Sequence, residues 1–508
     1  MKKKLLPALI VTGLIILVVI IMGITALINK YTPTKKTEDL KEYFNISSDD
    51  EAALIVDNEL SDYKAKIIDK KIYVDYKFVH DSLNSRFYWD ANENVLLYTT
   101  ASDIISAAAD SNSYSVTKQT NDFGYPIVKA TSDSALIALD YVKQYSNITF
   151  KSYDDPARIV ITSKWDEIDS ATVSKSTQVR VKGGIKSPIL KEVKKDDKIT
   201  ILDSGDKWDK IATEDGVIGY IKGKALSESK KTKLTNPDYE EETFTHIKKD
   251  KDICLAWNQV TSQSANSKVP QVISSTKGIN VMSPTWFYLN DNNGNLADIA
   301  SKDYVSYCHS QGIEVWGLFS NFENTDVDAA YVLTHTSTRT TLINQIMSAA
   351  FNYELDGVNI DFENITEAAY GDSYIEFIRE LAIKCHNNGI SLSVDVTVPA
   401  SFNKFFNRSD MANFADYIVI MGYDEHYKGS DAGSVSSIPW VTEGVESTLK
   451  EVPSDQIILG MPFYTRIWEL TPKEDDDAVT DTEDQSKYTV ASQVYSCLLY
   501  TSDAADDS

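Results

Sequence analysis

Asp356-Gly-Val-Asn-Ile-Asp-Phe-Glu363 is a stretch in which apolar and polar side chains alternate. A period of two predicts a strand that presents Asn359, Asp361 and Glu363 on one face. Carboxyls this close together raise the pKa of one of them, so we expect Glu363 to hold a proton near neutral pH, as a general acid must. The alternative is an edge strand with a solvated polar face.

The longer pattern Asp-Gly-x-Asn-x-Asp-x-Glu resembles the D-G-x-[DN]-x-D-x-E signature of glycoside hydrolase family 18. The resemblance implies that this stretch ends the fourth strand of a (β/α)8 TIM barrel, where such barrels hold their active sites. Asn359 stands where many chitinases of the family have Asp. In this respect the chain resembles the spore-cortex and cell-wall branch of the family.

Three further stretches resemble family segments of the sixth, seventh and second strands: Met421-Gly-Tyr423-Asp424, Gly460-Met-Pro-Phe-Tyr464 with Arg466, and Ser283-Pro-Thr-Trp286. Core packing would explain each of them taken alone. Four family segments in the family's order favour the resemblance over chance.

The resemblance implies a substrate-assisted retaining glycosidase, an exception to the usual two-carboxylate scheme. The catalytic residues it implies are Glu363 as acid and base, Asp361 and Tyr423 as partners of the substrate's acetamido group, and Asp356 as a group below that helps to set the charge of Asp361. The substrate-binding residues it implies are Asn359, Met421, Asp424, Tyr464, Arg466 and Trp286. The resemblance implies no metal and no cofactor.

The partner expected from this mechanism is a polysaccharide with β-1,4-linked N-acetylglucosamine, either peptidoglycan or a chitin-like glycan. A formal net charge of −25 argues against nucleic acid or anionic lipids as partners of the bulk of the chain. Two alternatives stay open, a glycan-binding protein without catalysis and a surface scaffold. Retention of Glu363 favours an enzyme.

The N-terminal segment 1–30 is basic and then uncharged from Leu5 to Ile28, long enough to span a bilayer. We expect a membrane anchor with its N-terminus in the cytoplasm and the bulk of the protein outside the cell. A cleaved signal peptide is the alternative. Residues 31–41 are expected to form a linker.

Two small domains are expected before the barrel. Segment 42–167 is predicted as an α+β stalk of two repeats and resembles the N-terminal-like domain of copper amine oxidases; His80 is its only histidine, so no copper is implied. Segment 168–228 resembles a bacterial SH3-type domain, a small all-β barrel that could bind cell-wall peptides, with Trp208 either in its core or at a ligand. Segment 229–248 is expected to be a linker.

Segment 249–496 alternates predicted strands and helices seven times, which indicates parallel strands with right-handed crossovers. After Trp468 we expect an acidic loop and the start of a helix near Thr489. The eighth strand of the family is missing, so the barrel is expected to be truncated. Segment 497–508 resembles the translation of a transposon-type sequencing adapter, with a genuine acidic tail as the alternative.

The cysteines show neither a paired spacing nor a metal-binding motif. We therefore expect free thiols, buried where they fall in barrel elements. The four positions are Cys254, Cys308, Cys385 and Cys497.

Overall fold

A computed structural model describes most of the 508-residue chain. The described residues are 2–363, 365, 368–473 and 485–496, apart from the side chains of residues 2–8, 368, 369, 402 and 496. Cys497, the segment 497–508 and most of the predicted acidic loop lie outside them. Contacts divide the chain into two compact units, residues 1–85 with 126–241 and residues 86–125 with 242–508.

The first unit begins with a single long apolar helix, α1 (Lys2–Tyr31). Its part Leu9–Tyr31 has the length and composition needed to cross a membrane. Many large apolar side chains of this helix are exposed in the folded chain.

A seven-stranded sheet in the first unit has the order β11-β12-β1-β2-β3-β10-β9, with β1 and β12 parallel and its other neighbours antiparallel. Its strands are β1 (Glu51–Val56), β2 (Glu59–Ile68), β3 (Lys71–Asp75), β9 (Val128–Ala130), β10 (Ala135–Ala138), β11 (Thr149–Tyr153) and β12 (Arg158–Thr162). The helices of this part are α2 (Leu40–Tyr43), α3 (Tyr76–Phe78), which continues into a π-helix (Val79–Leu83), and α4 (Leu139–Tyr145).

A second, antiparallel sheet in the same unit has the order β15-β14-β18-β17-β16-β13-β19. Its strands are β13 (Glu167–Thr172), β14 (Thr177–Arg180), β15 (Ile189–Val193), β16 (Lys198–Asp203), β17 (Trp208–Thr213), β18 (Ile218–Lys222) and β19 (Lys230–Lys233). Ile55 of the first sheet and Val179 of the second belong to one hydrophobic cluster, so the two sheets share a core. Trp208 is half-buried, beside Gly183.

The second unit is built on seven parallel strands whose order in the sheet follows the chain. They are β20 (Leu255–Asn258), β21 (Val281–Leu289), β23 (Glu314–Ser320), β24 (Gly357–Asp361), β25 (Ser391–Thr397), β26 (Tyr417–Met421) and β27 (Ile457–Gly460), while β22 (Leu296–Asp298) pairs antiparallel with β21. A Cβ added to Gly460 would lie 2.8 Å from the ring of Trp257. The ring of Trp257 on the first strand therefore reaches the backbone of the last strand.

Helices connect these strands and cover their outer face. They are α5 (Val269–Ser274), α6 (Lys302–Ser310), α7 (Ala329–Thr334), α8 (Thr336–Tyr353), α9 (Ala368–His386), α10 (Arg408–Phe414) and α11 (Ile438–Thr448), with short 3-10 helices at Gln263–Lys268, Ser401–Phe406, Ser454–Gln456 and Gln485–Lys487. Apolar side chains of α8 and α9 form the main core of the unit with β21 and β23–β25. Cys308 and Cys385 are buried as predicted, but Cys254 is exposed, because it precedes β20 instead of lying in it.

Residues 86–125 form a five-stranded antiparallel sheet that belongs to the second unit. Its strands are β4 (Phe87–Asp90), β5 (Val95–Thr99), β6 (Ile104–Ala108), β7 (Ser113–Val116) and β8 (Gln119–Asp122). Thr99 donates a hydrogen bond to the buried carboxylate of Glu376 in α9 (2.8 Å), and Tyr88 is hydrogen-bonded to Ser373 (2.9 Å). Part of the segment predicted as one stalk domain, 42–167, therefore lies in the second compact unit.

The chain after β27 forms a hairpin of β28 (Tyr464–Pro472) and β29 (Tyr488–Ser496). The helix predicted near Thr489 is wrong, because that residue pairs with Thr471 across the hairpin. Tyr464 and Arg466 accordingly lie on β28 and not on the seventh parallel strand.

Candidate active site

Strand β24 carries the motif through the middle of the parallel sheet. It is hydrogen-bonded to β23 on one side and to β25 on the other, so the alternative of an edge strand is wrong. Val358, Ile360 and Phe362 belong to the hydrophobic core, as their alternation predicts. Asn359 is fully buried as well, among polar partners.

Three hydrogen bonds fix the side chain of Asn359. Its Oδ1 accepts from Trp257 Nε1 (3.0 Å) and from Ser283 Oγ (3.0 Å), and its Nδ2 donates to Asp395 Oδ1 (2.7 Å). The two donors on Oδ1 determine which end of the amide faces Asp395. Strands β20, β21, β24 and β25 thus each contribute one residue to a single buried polar network.

Two further carboxyls follow Asn359 at the end of β24. Burial, with the charges of Glu363 and Glu323 added, raises the pKa of Asp361 well above its usual range. Burial, Asp424 and Glu323 raise the pKa of Glu363. The residue as a whole is nevertheless exposed, because the surrounding protein desolvates only part of its side chain, and its backbone N–H is fixed by Asn321 Oδ1 (3.1 Å). Glu363 is therefore a carboxyl that a ligand can reach and whose pKa is raised, as suits a general acid.

Tyr423 follows β26 and faces the same carboxyls. Burial raises the pKa of its phenol, and the charges of Asp395 and Asp361 raise it further, so the hydroxyl stays a neutral donor. The ring packs edge-on against Trp257 (6.1 Å between centroids) and Tyr464 (6.2 Å). These contacts hold the hydroxyl within the cluster of carboxyls.

Asp424 links the end of β26 to the hairpin. Its Oδ1 accepts a hydrogen bond from the hydroxyl of Tyr464 (2.7 Å) and lies 3.5 Å from Nη2 of Arg466. Arg466 also donates to Ser492 Oγ on β29 (3.2 Å). Met421 is the last residue of β26, three positions before Asp424, and its side chain is buried. Asp424, Tyr464 and Arg466 thus form one polar group.

Asp356 lies away from the other predicted catalytic residues. It precedes β24, five residues before Asp361, which corresponds to about 16 Å along a strand. Its carboxylate accepts hydrogen bonds from the backbone N–H of Val315 (2.8 Å) and pairs with His309 (2.8 Å). The expected effect of Asp356 on the charge of Asp361 is therefore wrong; Asp356 ties the start of β24 to β23 and α6.

Trp286 is also not in the site. Its side chain is fully buried, donates a hydrogen bond to Asn266 Oδ1 (2.8 Å) and packs edge-on against Tyr304. The register between β21 and β23 shifts between Thr285 and Phe287. The predicted substrate contact of Trp286 is therefore wrong, because the ring belongs to the core outside the polar network.

Replacing Trp286 by Phe is expected to lower the free energy of unfolding by about 1–3 kcal/mol, because Asn266 Oδ1 loses its buried donor. KM for a substrate is expected to stay within about twofold, since the ring is fully buried in the core outside the polar network. Urea denaturation and steady-state kinetics of the full chain measure the two quantities. A large rise in KM with unchanged stability would restore Trp286 to the site.

Three residues of the site were not predicted from sequence: Trp257, Asp395 and Glu323. The signal for Asp395 was present, since it is the single charged residue in the apolar strand Ser391–Thr397. Trp257 ends the predicted first strand, which is separated from the motif strand by β21 and β23, so its contact with Asn359 becomes visible only in the fold. Glu323 lies in a loop, where spacing carries no information about direction.

Comparison with known proteins finds a similarity to one enzyme family. Residues 316–503 match glycosyl hydrolases family 18. This segment of the chain is similar to that family. The matched segment includes β24, β26 and the hairpin, and thus Glu363, Asp361 and Tyr423.

Proteins similar to this chain occur in Bacillus subtilis. The uncharacterized glycosylase YvbX is 24% identical over 194 residues, which is 35% of this chain and 55% of that protein. The cortical fragment-lytic enzyme is 25% identical over 187 residues, 35% of this chain and 43% of that protein. This chain spans about half the length of the curated relatives it matches.

Solved structures are similar at lower sequence identity. The spore cortex-lytic enzyme SleL of Bacillus cereus is 18% identical, with a TM-score of 0.40, over 49% of this chain and 56% of that one. A chitinase of Chromobacterium violaceum is 21% identical, with a TM-score of 0.37, over 42% of this chain and 68% of that one.

Proposed function

We propose that the family 18 domain hydrolyses β-1,4 linkages of N-acetylglucosamine in peptidoglycan or a related glycan, with retention of anomeric configuration. The observation that carries the proposal is the position of Glu363, an exposed carboxyl with a raised pKa next to the buried carboxyl Asp361. The cortical fragment-lytic relative favours a cell-wall glycan as the substrate class.

Glu363 begins the reaction as a general acid. It donates its proton to the glycosidic oxygen while the bond from that oxygen to the anomeric carbon breaks. Burial and the charges of Asp424 and Glu323 raise the pKa of Glu363, which favours the protonated form that the first step requires. The backbone contact to Asn321 holds the start of the loop that carries the acid.

The substrate supplies the nucleophile. Its acetamido carbonyl oxygen attacks the anomeric carbon and forms a cyclic oxazolinium ion. Asp361 accepts the acetamido N–H and stabilises the positive charge that develops, and Tyr423 donates a hydrogen bond to the carbonyl oxygen and holds it in line. A neutral phenol suits this task, and burial among carboxyls raises the pKa of Tyr423 accordingly.

Water completes the reaction. Glu363, now ionised, takes a proton from the water molecule whose oxygen attacks the anomeric carbon, and the oxazolinium ring opens to restore the acetamido group. Both displacements invert the anomeric carbon, so the product has the configuration of the substrate.

An N-acetyl group is therefore required on the sugar that is cleaved. We expect kcat/KM for an N-deacetylated oligosaccharide to be lower by about 10³-fold or more than for the N-acetylated one, because the intramolecular nucleophile is lost. Product release from both glycans by the full chain, followed by chromatography, measures the ratio. Equal rates on the two substrates would rule out substrate assistance.

The fold proposed for this domain is a (β/α)8 TIM barrel. Support comes from seven sequential parallel strands joined by helices and from the approach of Gly460 in β27 to Trp257 in β20. All of the proposed catalytic groups follow or end a strand at its carboxyl end, as barrel enzymes require.

The remaining parts are proposed to place the enzyme at the cell surface. Helix α1 is proposed as a membrane anchor with a cytoplasmic N-terminus, on the strength of the span Leu9–Tyr31. The sheet of β13–β19 is proposed as the SH3-type domain, a candidate for binding cell-wall peptides, and the sheet of β1–β3 and β9–β12 as the stalk. Together they would hold the glycosidase near its polymer.

A further inference from the structure

Asn359 occupies the position below Asp361 that a second carboxyl often fills in the family. An amide cannot take up a proton there, and its orientation is fixed by Trp257 and Ser283 on one side and by Asp395 on the other. Any proton that the buried cluster retains must therefore reside on another group.

Asp395 is a carboxyl with 3% exposure on β25, the strand next to β24. Its Oδ1 accepts a hydrogen bond from Asn359 (2.7 Å), and Trp257 is a second hydrogen-bonding neighbour of this carboxyl. The titratable groups that face it are Asp361 from β24, Glu363 beyond that strand, Tyr423 after β26 and Tyr374 from α9.

None of these neighbours is a cation. Within the part of the chain that the structure describes, neither Asp361 nor Asp395 forms an ion pair with Lys, Arg or His. The hydroxyl of Tyr374 and Oδ1 of Asp361 are buried without a hydrogen-bond partner among the described residues. Two adjacent buried carboxyls without a cation cannot both be ionised, so one of them keeps a proton.

We propose that Asp395 is a positioning residue that keeps this proton, so that Asp361 is the carboxyl of the pair that ionises first and meets the acetamido N–H. The proposal rests on the proposed function and deepens it. Asp395 is the more buried of the two, and its Asn359 contact ties it to the strand that carries Asp361. Burial and the charge of Asp361 both raise the pKa of Asp395.

The order of ionisation can be observed without turnover. Infrared difference spectra of the full chain, unmodified minus Asp395→Asn and unmodified minus Asp361→Asn, are recorded as a pH series. We expect the carboxylate band assigned to Asp361 to appear at lower pH than the band assigned to Asp395. The reverse order, or an Asp395 that is ionised over the whole range, would overturn the proposal.

Asp416→Asn provides the matched control. Asp416 is equally buried but directly precedes β26, where it accepts hydrogen bonds from the backbone of Ile247 and Leu392 (2.8 Å for Leu392) and pairs with His386 (3.1 Å). Removing it tests the spectral effect of losing a buried carboxyl outside the site. The Asp361 carboxylate band is compared between Asp416→Asn and Asp395→Asn. An equally large change in both variants would also overturn the proposal, because loss of any buried carboxyl would then alter the Asp361 band.

The pH profile of kcat/KM gives a second readout. In Asp395→Asn the amide mimics the protonated carboxyl, so the acid limb, which reports Asp361, is expected to stay within about 0.3 pH unit. If Asp395 were ionised in the working enzyme, its removal would lower the pKa of both Asp361 and Glu363 and move both limbs to lower pH. That shift would contradict the proposal.

Failure of the proposed function has a different signature. If the unmodified chain cleaves none of the N-acetylated glycans, the function is wrong, while the infrared series still decides the order of ionisation. If the chain cleaves them and the infrared order is reversed, only the role of Asp395 is wrong.

Discussion

Glu363→Gln is expected to lower kcat by about 10²–10⁴-fold, the range found for loss of a positioned general acid. Glutamine keeps the shape of the side chain, but it cannot give a proton to the glycosidic oxygen or take one from water. KM or the dissociation constant of the glycan is expected to stay nearly unchanged, since the acid acts in the transition state. Steady-state kinetics and calorimetric binding to the same oligosaccharide measure both.

Glu314→Gln is the matched control for this substitution. Glu314 begins β23, at the end of the sheet opposite to the site, and contacts Trp316 Nε1 (3.0 Å) and Lys249 (2.9 Å). We expect it to leave kcat unchanged. Retained turnover in Glu363→Gln would remove Glu363 as the acid; binding without turnover in the unmodified chain would favour the glycan-binding alternative.

Arg339→Met is expected to lower the free energy of unfolding of the second unit by about 3–5 kcal/mol, because it leaves a buried carboxylate without its partner. Arg339 is fully buried in α8 and donates to Glu380 of α9 (2.7 Å) and to the backbone of Leu333 (2.7 Å). Its guanidinium also lies over the ring of Tyr88 in β4 (5.0 Å).

Native-state hydrogen exchange of α8 and α9 measures this loss directly. Lys248→Met is the control, because Lys248 forms an exposed ion pair with Asp455, and such pairs contribute little. Exchange rates in α8 and α9 that match those of the control would show that the buried ion pair does not stabilise these helices. A spread of the effect to β4 and β5 would support the docking of that sheet through Tyr88.

Strands were predictable from sequence where the polar or apolar character of the side chains shows which environment each face of the strand occupies. The alternation around Asn359 and the apolar run of β26 gave strands close to the observed bounds, since a one-residue slip would bury the wrong face. The hairpin of β28 and β29 was not predicted. Its two strands lie on either side of an acidic stretch of sequence, and local propensity near Thr489 does not reveal which segment pairs with it.

Two site residues were assigned by analogy and misplaced for the same reason. Asp356 and Trp286 belong to family segments, but membership of a segment does not say which end or side of a strand a residue occupies. Conversely, Asp395 completes the site through a contact between neighbouring strands, 36 positions from Asn359 in sequence. The assignment of residues 86–125 to the second unit was likewise not predictable from sequence, because it depends on contacts with α9 that are distant in sequence.

The most direct test of a retaining, substrate-assisted glycosidase is the configuration of the first product. Proton NMR of the full chain acting on a β-1,4-linked N-acetylglucosamine oligosaccharide, recorded before mutarotation, distinguishes the two anomers. The proposed mechanism predicts the β-anomer as the initial product. An initial α-anomer would show a single displacement by water and would contradict the roles given to Asp361, Tyr423 and the acetamido group.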